Sequence, residues 1–247
     1  MIYNNPYSLE NKTVLVTGAS SGIGRSIAIA CSQMGGNVII TGRNEGRLQE
    51  TAGLLSGSGH LVIPGDLLNV NDLHRIAESV PALDGVVHCA GIGHTKMCKQ
   101  IEEKDLEVVM GTNFNAPVLL QKELLGCKKI KKAGSIVFIS SLAVTKAIVA
   151  NAVYSASKGA ITSYANCLAL ELAPRQIRVN TVHPAMVWTD LVYNSVFGDE
   201  ELQADMEKYP LKRYGKPEDV AYLVVYLLSD ASQWMTGSHL EITGGVR

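Results

Sequence analysis

Near its amino terminus the chain reads Thr13-Val14-Leu15-Val16-Thr17-Gly18-Ala19-Ser20-Ser21-Gly22-Ile23-Gly24. The run Thr13–Thr17 has the apolar character of a buried strand, and a helical pattern follows it to about Met34. Glycines at such a turn let the backbone approach a phosphate, and the helix N-terminus offers free N–H groups and a positive dipole end. The unit therefore predicts a phosphate-binding turn, although a tight turn without a ligand would have the same spacing.

The spacing of these glycines is G-x-x-x-G-x-G, which differs from the common dinucleotide pattern G-x-G-x-x-G. It is not a P-loop either. A P-loop has a lysine after its last glycine that binds the phosphates, whereas Arg25 follows the last glycine here.

Short apolar runs alternate with longer helical patterns along the rest of the chain, which predicts parallel strands joined by helical crossovers. We expect an α/β, doubly wound, Rossmann-type parallel sheet of seven strands with helices on both faces, in one domain covering residues 1–247. The segment 186–216 breaks the alternation and is interpreted as a lid inserted over the strand ends. The predicted strands are Thr13–Thr17, Val38–Thr41, Leu61–Ile63, Gly85–Cys89, Ser135–Ser140, Ile177–Val182 and Ser238–Ile242. The last predicted helix is Pro217–Leu228, which Pro217 opens.

The composition excludes several classes of protein. The chain has 247 residues, 47% of them hydrophobic and 18% charged, with a net charge of −1, so no global field attracts nucleic acid or an anionic membrane. The basic stretch Lys128–Lys132 is interpreted as a solvated helix end. Five scattered cysteines without a C-x-x-C pair indicate neither disulfides nor a metal site. With no secretory signal at the first residues and no long apolar run, we expect a cytoplasmic protein.

The second strand ends at Thr41-Gly42-Arg43. Dinucleotide folds that bind NAD usually place an acidic residue here for the ribose hydroxyls, whereas a nearby arginine accommodates the 2′-phosphate of NADP. Gly42 stands at the acidic position and Arg43 follows, which favours NADP(H) over NAD(H). The alternative is an ordinary exposed arginine.

Tyr154 and Lys158 lie four residues apart in a strongly helical segment, Ala152–Leu172, so their side chains share one helix face. A positive charge beside a phenol stabilises its phenolate form. The pair is therefore typical of a tyrosine that exchanges protons with a substrate, although two such residues also occur by chance on helix surfaces.

Taken together, these motifs resemble those of the short-chain dehydrogenase/reductase family over nearly the whole chain. The resemblance is carried by Thr17–Gly24, His88-Cys89-Ala90-Gly91, Asn113, Ile139-Ser140-Ser141, Tyr154–Lys158, Arg178-Val179-Asn180, Pro217-Glu218-Asp219-Val220 and Thr243-Gly244-Gly245. It implies a nicotinamide-dependent oxidoreductase rather than a dinucleotide-sensing protein without turnover, because a sensor has no need for the acid–base residues.

The resemblance also implies roles for single residues. Tyr154 would be the general acid in reduction, and Lys158 would assist it and hydrogen-bond the nicotinamide ribose. Ser141, rather than its neighbour Ser140, would polarise the carbonyl, and Asn113 would hold a water linked to Lys158. The cofactor-binding positions would be Gly18, Ser20, Ser21, Ile23, Gly24, Arg43, Asp66, Leu67, Ala90, Gly91, Tyr154, Lys158, Val187 and Thr189. The substrate would meet His94, Val144, Met186, Trp188 and Tyr193, and no metal is expected.

Within the family, the phrase Pro210–Glu218 is similar to that of 3-oxoacyl-[acyl-carrier-protein] reductases, and a sugar-alcohol or other small-alcohol dehydrogenase is the alternative. Lys132 and Arg175 fall where those reductases carry cations that meet the acidic acyl carrier protein. Relatives usually assemble as tetramers through the regions Asn113–Lys132 and Ala152–Leu172, so a homotetramer or homodimer is expected.

Two departures from the family pattern stand close to the expected site. The usual Asn-Asn-Ala-Gly is His88-Cys89-Ala90-Gly91, which removes an asparagine that braces the central strand. The usual Pro-Gly is Pro184-Ala185, which adds a methyl group near the nicotinamide position. Neither departure removes a catalytic group.

Overall fold

The computed structural model describes residues 5–193 and 198–246, without the side chains of Leu191, Tyr193 and Asp199. Within these residues the strands are β1 (Thr13–Thr17), β2 (Asn37–Thr41), β3 (Leu61–Val62), β4 (Leu83–His88), β5 (Ile130–Ile139), β6 (Arg178–Pro184) and β7 (His239–Ile242). They form one sheet in the order β3-β2-β1-β4-β5-β6-β7, and every neighbouring pair is parallel.

Helices connect these strands. They are α1 (Gly22–Gln33), α2 (Glu45–Ala52), α3 (Val70–Ser79), α4 (Glu103–Met110), α5 (Ala116–Gly126), α6 (Ala152–Leu172), α7 (Asp190–Tyr193), α8 (Asp199–Met206) and α9 (Pro217–Leu228). A single π-helical turn, Gly111–Asn115, joins α4 to α5. No helix in the described part of the chain is both long and apolar enough to cross a membrane.

Alternation along β1 shows how the two faces of the sheet are covered. The side chain of Leu15 packs in a cluster with apolar residues of α3, α5 and α6, whereas Val14 and Val16 pack on the other face with residues of α1 and α9. All three side chains are fully buried. The sheet therefore has a helical layer on each face, which confirms the predicted doubly wound class.

The strand order reverses direction between β1 and β4, because β2 and β3 lie on one side of β1 and β4 to β7 on the other. In open parallel sheets a crevice forms at such a switch point, outside the carboxyl ends of the strands. The residues that follow β1, β2, β4 and β5 therefore meet at one edge of the sheet.

Most element boundaries follow the sequence pattern closely. The bounds of β1, α6 and α9 are those predicted, and the other predicted strands apart from β5 differ by one or two residues at their ends.

Strand β5 was predicted to begin at Ser135 but begins at Ile130, so Lys131 and Lys132 lie on a strand and not at a helix end. The register explains the error. Leu83 pairs with Ile130 and Gly85 with Ser135, so β5 bulges between these pairs. Charged residues occupy the bulge, and Lys131 forms an ion pair with the carboxylate of Asp84 at 2.8 Å. Because of these residues, the first part of β5 lacks the alternating apolar pattern that predicts a strand.

Candidate active site

A cavity of about 540 Å³ lies at the carboxyl edge of the sheet, across the switch point. Most of the residues predicted to hold the cofactor line it, and so do three of the four predicted catalytic residues. The predicted residues in its wall are Gly18, Ser20, Ser21, Ile23, Gly24, Arg43, Asp66, Leu67, Ala90, Gly91, Ser141, Tyr154, Lys158 and Thr189.

The turn between β1 and α1 is built to bring backbone close to a ligand. Gly18 has a φ of +67°, and a Cβ there would lie 2.8 Å from the Cα of Ala90. A Cβ on Gly24 would collide with the carbonyl of Gly18. The turn therefore holds the N-terminus of α1 at the cavity wall, where unpaired N–H groups and the helix dipole suit a pyrophosphate.

The hydroxyl of Thr17 ties this turn to the end of β4. Its Oγ1 accepts hydrogen bonds from the N–H groups of Cys89 and Ala90 at 3.0 and 3.1 Å. The same oxygen lies 3.4 Å from the carbonyl of Val87. This brace between β1 and β4 was not predicted from the sequence, and it joins strands in a region where the family's asparagine is missing.

His88, which also departs from the family pattern, is buried beneath the site. Its Nε2 lies 3.0 Å from Oε1 of Gln121, and its ring stacks on Phe138 with centroids 4.6 Å apart. Burial lowers the pKa of His88 to about 4, against the opposing effect of the Gln121 hydrogen bond. The imidazole is therefore neutral in the folded protein near pH 7.

The predicted catalytic pair lies on the first turns of α6. The Nζ atom of Lys158 donates a hydrogen bond of 2.9 Å to the carbonyl of Ile139, at the end of β5. It also lies 5.8 Å from the ring centroid of Tyr154. Lys158 is only 6% exposed, so its ammonium is fixed against the cavity wall and not free in solvent.

The two serines after β5 have different surroundings. The Oγ of Ser140 is buried between the carbonyl of Lys158 at 3.1 Å and the hydroxyl of Thr162 at 2.8 Å. Ser141 is half-buried, and its Oγ accepts a hydrogen bond from the N–H of Ala143. An oxygen that accepts this bond still has its own proton to donate, so Ser141 suits the polarising role.

Asn113 lies in the π-helical turn and is 2% exposed. Its side chain clamps Ile92, accepting from the N–H at 2.8 Å and donating to the carbonyl at 3.0 Å, and it also donates to the hydroxyl of Ser157. A Cβ on Gly91 would lie 3.2 Å from Oδ1 of Asn113 and 3.3 Å from Nζ of Lys158. Asn113 thus lies behind the cavity wall and near the catalytic lysine.

Arg43 lies exposed at the cavity rim after β2. Among the described residues it forms no ion pair or hydrogen bond, so its guanidinium is available to an anionic ligand. Arg25 is different, because it pairs with Glu50 at 3.0 Å and donates to the carbonyl of Ser20 at 2.6 Å. Arg25 therefore supports the turn rather than the ligand.

The structure places four of the five predicted substrate residues outside the cavity itself. His94 lies 3.4 Å from the carboxylate of Asp105, and hydrogen bonds, first from Lys96 and then from the Glu102 backbone, lower the pKa of Asp105 to about 2. The side chain of Tyr193 lies outside the described residues. The others in this set are partly buried near the cavity and do not line it: Val144, Met186 and Trp188.

The segment after β6 is clamped at both ends. Val187 forms an isolated parallel bridge with Gly215, and reciprocal backbone bonds of 2.9 Å join Gly215 to Met186 and Trp188. Trp188 packs against Tyr214 with ring centroids 5.2 Å apart. Val187 is thus held in this bridge rather than in the cavity wall, whereas Thr189 reaches the cavity beside Gly22.

A second buried histidine lies on β6. Nε2 of His183 and Nδ1 of His239 lie 2.8 and 2.7 Å from the hydroxyl of Thr181. Burial, with a smaller effect from His239, lowers the pKa of His183 to about 4. In the described part of the chain, no group of three or more His, Cys, Asp or Glu side chains could hold a metal ion.

Comparison with known proteins shows the family of the chain. A family model described as Enoyl-(Acyl carrier protein) reductase matches residues 18–247. A solved structure titled short-chain dehydrogenase/reductase SDR:Glucose/ribitol dehydrogenase, from Brucella melitensis, is 31% identical and covers 98% of this chain and 99% of its own, with a TM-score of 0.91. The chain belongs to the short-chain dehydrogenase/reductase family.

Curated relatives in this family carry two kinds of name. The 3-oxoacyl-[acyl-carrier-protein] reductase FabG of Rickettsia felis is 32% identical over 238 residues, which cover 96% of this chain and 98% of that protein. The L-xylulose reductase of Caenorhabditis elegans is 32% identical over 244 residues, with 97% of each protein covered. The chain is an oxidoreductase of a family that uses a nicotinamide dinucleotide, and its glycine turn and cavity fit such a cofactor.

Proposed function

We propose that this short-chain dehydrogenase/reductase is an NADP(H)-dependent enzyme that reduces a carbonyl group to an alcohol. The observation that carries the proposal is the placement of Ser141, Tyr154 and Lys158 in the wall of the cavity that the glycine turn also lines. A protein that only sensed a dinucleotide would not need an acid–base set beside it.

Each catalytic side chain has a defined part in this reaction. The bound dinucleotide supplies the hydride that reaches the carbonyl carbon. Tyr154 gives its proton to the carbonyl oxygen, and Ser141 donates a hydrogen bond that stabilises the charge developing there. The fixed ammonium of Lys158 stabilises the phenolate left on Tyr154. We keep for Asn113 the role of holding a water that links Lys158 to solvent.

The proposed preference for NADP(H) rests on Arg43. A guanidinium without a protein partner at the end of β2 suits a 2′-phosphate by charge and by forked geometry. Gly42, at the position where NAD-binding folds place an acid, puts no negative charge against that phosphate.

For the substrate, we propose a 3-oxoacyl thioester, as in the reductases named FabG. An acyl carrier protein would meet Lys132 and Arg175; Arg175 donates to the carbonyl of Ile130, two residues before Lys132. These cations lie at the amino end of β5, and Ser141 follows its carboxyl end; the regular stretch from Ser135 to Ser141, beyond the bulge, rises roughly 20 Å. A carrier docked there would therefore serve the site of another copy in an oligomer.

The L-xylulose reductase among the relatives supports a second candidate, the reduction of a small ketose to a sugar alcohol. Such a substrate would need no carrier protein and no second copy. Variants Lys132→Ala and Arg175→Ala would leave its reduction unchanged, whereas they would slow the reduction of a carrier-bound acyl chain.

Three further features complete the proposal. The segment 186–216, clamped by Val187 and Gly215, acts as a lid over the substrate. Exposed leucines on α5 and α6, Leu119 and Leu170, support a homotetramer or homodimer. The five cysteines are free, which suits a reduced cytoplasmic location.

The test follows NADPH consumption with 3-oxoacyl thioesters, ketoses and simple ketones. Tyr154→Phe should bind NADPH as the wild type does but turn over about 100-fold or more slowly, because general acid catalysis contributes at least this factor. Tyr164→Phe removes a hydroxyl from the same helix and serves as the matched control. If Tyr154→Phe turned over at the wild-type rate, the assigned mechanism would be wrong.

A further inference from the structure

A second arginine lies at the rim of the cofactor cavity. Arg47 is in the first turn of α2, four residues after Arg43, and its N–H donates to the capping oxygen of Asn44 at 2.9 Å. Arg43, Asn44 and Arg47 all line the cavity. This end of the cavity therefore has two guanidinium groups, of which only Arg43 was assigned from the sequence.

Arg47 makes an ion pair that crosses between the two rims of the cavity. Its Nη1 lies 3.4 Å from Oδ2 of Asp190, at the start of α7. Asp190 also lines the cavity, directly after Thr189, whose Cγ2 would lie 3.1 Å from a Cβ on Gly22. The pair thus joins the nucleotide side of the site to the segment that follows β6.

This ion pair is weak by its geometry. Its atoms are 3.4 Å apart and the two side chains are 53% and 55% exposed, so solvent screens it. The neighbouring pair between α1 and α2 differs, because Arg25 lies 3.0 Å from Glu50 and also donates a hydrogen bond to Thr51 Oγ1. The guanidinium of Arg25 is held by several protein groups. The guanidinium of Arg47 can leave Asp190 for a ligand without losing any other side-chain bond among the described residues.

A phosphate dianion is a better partner for a guanidinium than a single carboxylate at this distance, because it carries more charge and accepts a forked pair of hydrogen bonds. We propose that Arg47 is a second ligand for the 2′-phosphate of the cofactor, and that Asp190 holds it in an exchangeable pair which the phosphate displaces. This inference rests on the proposed preference for NADP(H).

The proposal gives the two partners of one ion pair opposite effects. Arg47 attracts the phosphate, whereas Asp190 competes for Arg47 and repels the phosphate. An ion pair that only stabilised the fold, or only held the cavity closed, would behave differently. Removing Arg47 or removing Asp190 would then break the same pair, so both variants would change cofactor binding in the same direction.

The experiment measures dissociation constants of NADPH, NADH and 2′,5′-ADP for the wild type, Arg47→Gln, Asp190→Asn and the double variant. We expect Arg47→Gln to weaken NADPH and 2′,5′-ADP roughly tenfold, as for a lost charge-assisted hydrogen bond, and Asp190→Asn to strengthen both about threefold. NADH should change less than twofold. In the double variant Asp190→Asn should strengthen binding less than it does alone, because the competition for Arg47 is then absent and only the repulsion of the phosphate is relieved.

Glu78→Gln is the matched control, since it removes the same charge as Asp190→Asn from an exposed pair, with His74 on α3, and it should leave the dissociation constants unchanged. Effects of the same sign from Arg47→Gln and Asp190→Asn would overturn the inference while leaving a wild-type preference for NADPH intact. A wild type that bound NADH as tightly as NADPH would instead overturn the proposed cofactor, and this inference with it.

Discussion

Arg43 is a single side chain on which a cofactor preference depends. Because it has no protein partner among the described residues, Arg43→Ala removes an interaction with the ligand and disturbs little else. We expect the dissociation constant of NADPH to rise by roughly tenfold to a hundredfold, the range for a charged hydrogen bond, and that of NADH by less than twofold. Fluorescence titration measures both constants.

The control for Arg43→Ala is Lys122→Ala, which removes the same charge from an exposed side chain on α5. It should leave both cofactors unaffected, so that general electrostatics is separated from direct contact. Equal weakening of NADPH and NADH by Arg43→Ala would contradict a role in binding the 2′-phosphate.

His88 is the residue where the chain departs most visibly from the family pattern, and its burial predicts a dependence of stability on pH. The pKa of His88 is about 4 in the folded protein, and an unfolded histidine has a pKa of ~6.5. Between these values the unfolded chain binds a proton that the folded chain does not, so stability is full above pH 6.5 and falls as the pH drops towards 4.

The variant His88→Asn, which restores the family residue type, tests this. Denaturant titrations between pH 6.5 and 4.5 should give a free energy of unfolding whose pH slope is smaller by about 1.4 kcal/mol per unit, the contribution of one proton. His183, also with a pKa of about 4, should retain its own share of the slope. An unchanged slope in His88→Asn would mean that His88 does not carry this proton.

At the scale of elements, the segment between β6 and α9 is the part whose motion the proposed lid requires. Its Trp188 packs on Tyr214, so a change in the packing of the segment would change the fluorescence of this indole. The chain has one other tryptophan, Trp234, which is fully exposed. We expect the emission of Trp188 in a Trp234→Phe variant to shift when NADP⁺ and substrate bind.

The oxidised cofactor is used because NADPH would quench the indole fluorescence by energy transfer whether or not the lid moved. Trp188→Phe, which leaves only Trp234, is the control and should give a constant emission spectrum. A constant spectrum from Trp188 as well would argue against a lid that repacks on binding.

Elements differ in how far their sequence predicts them. The bounds of α6 and α9 could be predicted because a sustained apolar pattern marks each of them, and Pro217 marks the start of α9. The beginning of β5 could not, because a bulge places Lys131 and Lys132 on the strand and hides its periodicity. The π-helical turn at Asn113 was also beyond the pattern, since one extra residue in a helix leaves almost no trace in composition.

The sequence indicates those site residues that are close together in the chain. It does not indicate contacts between residues that are far apart in the chain and meet only in the folded protein. Tyr154 and Lys158 are four apart, and the glycine turn is contiguous, so both were evident. The brace from Thr17 to the end of β4 joins residues 72 and 73 positions apart. The pair of Arg47 and Asp190 spans 143 positions. Such contacts depend on the crossover connections, which the sequence of any one element does not encode.

At the scale of the whole molecule, the proposed assembly of copies rests on apolar side chains that one copy leaves exposed. Leu119 on α5 is 45% exposed and Leu170 on α6 is 79% exposed, in the two helical regions through which the family resemblance predicts assembly. Burying such leucines against a second copy would gain on the order of 1.5 to 3 kcal/mol for each side chain. A glutamate at either position would place a charge in that interface without disturbing the core of one copy.

We therefore expect Leu119→Glu and Leu170→Glu each to shift the protein to a smaller oligomer in size-exclusion chromatography with light scattering, with the thermal unfolding of the dissociated copy still cooperative. Leu54→Glu is the matched control, because Leu54 is 54% exposed but follows α2, outside those helical regions. If carrier-bound substrate is delivered between copies, as we propose from the placement of Lys132 and Ser141 at opposite ends of β5, the dissociated variants should lose its reduction while still reducing a small free ketone. Equal activity of oligomer and dissociated protein on a carrier-bound acyl chain would contradict delivery between copies.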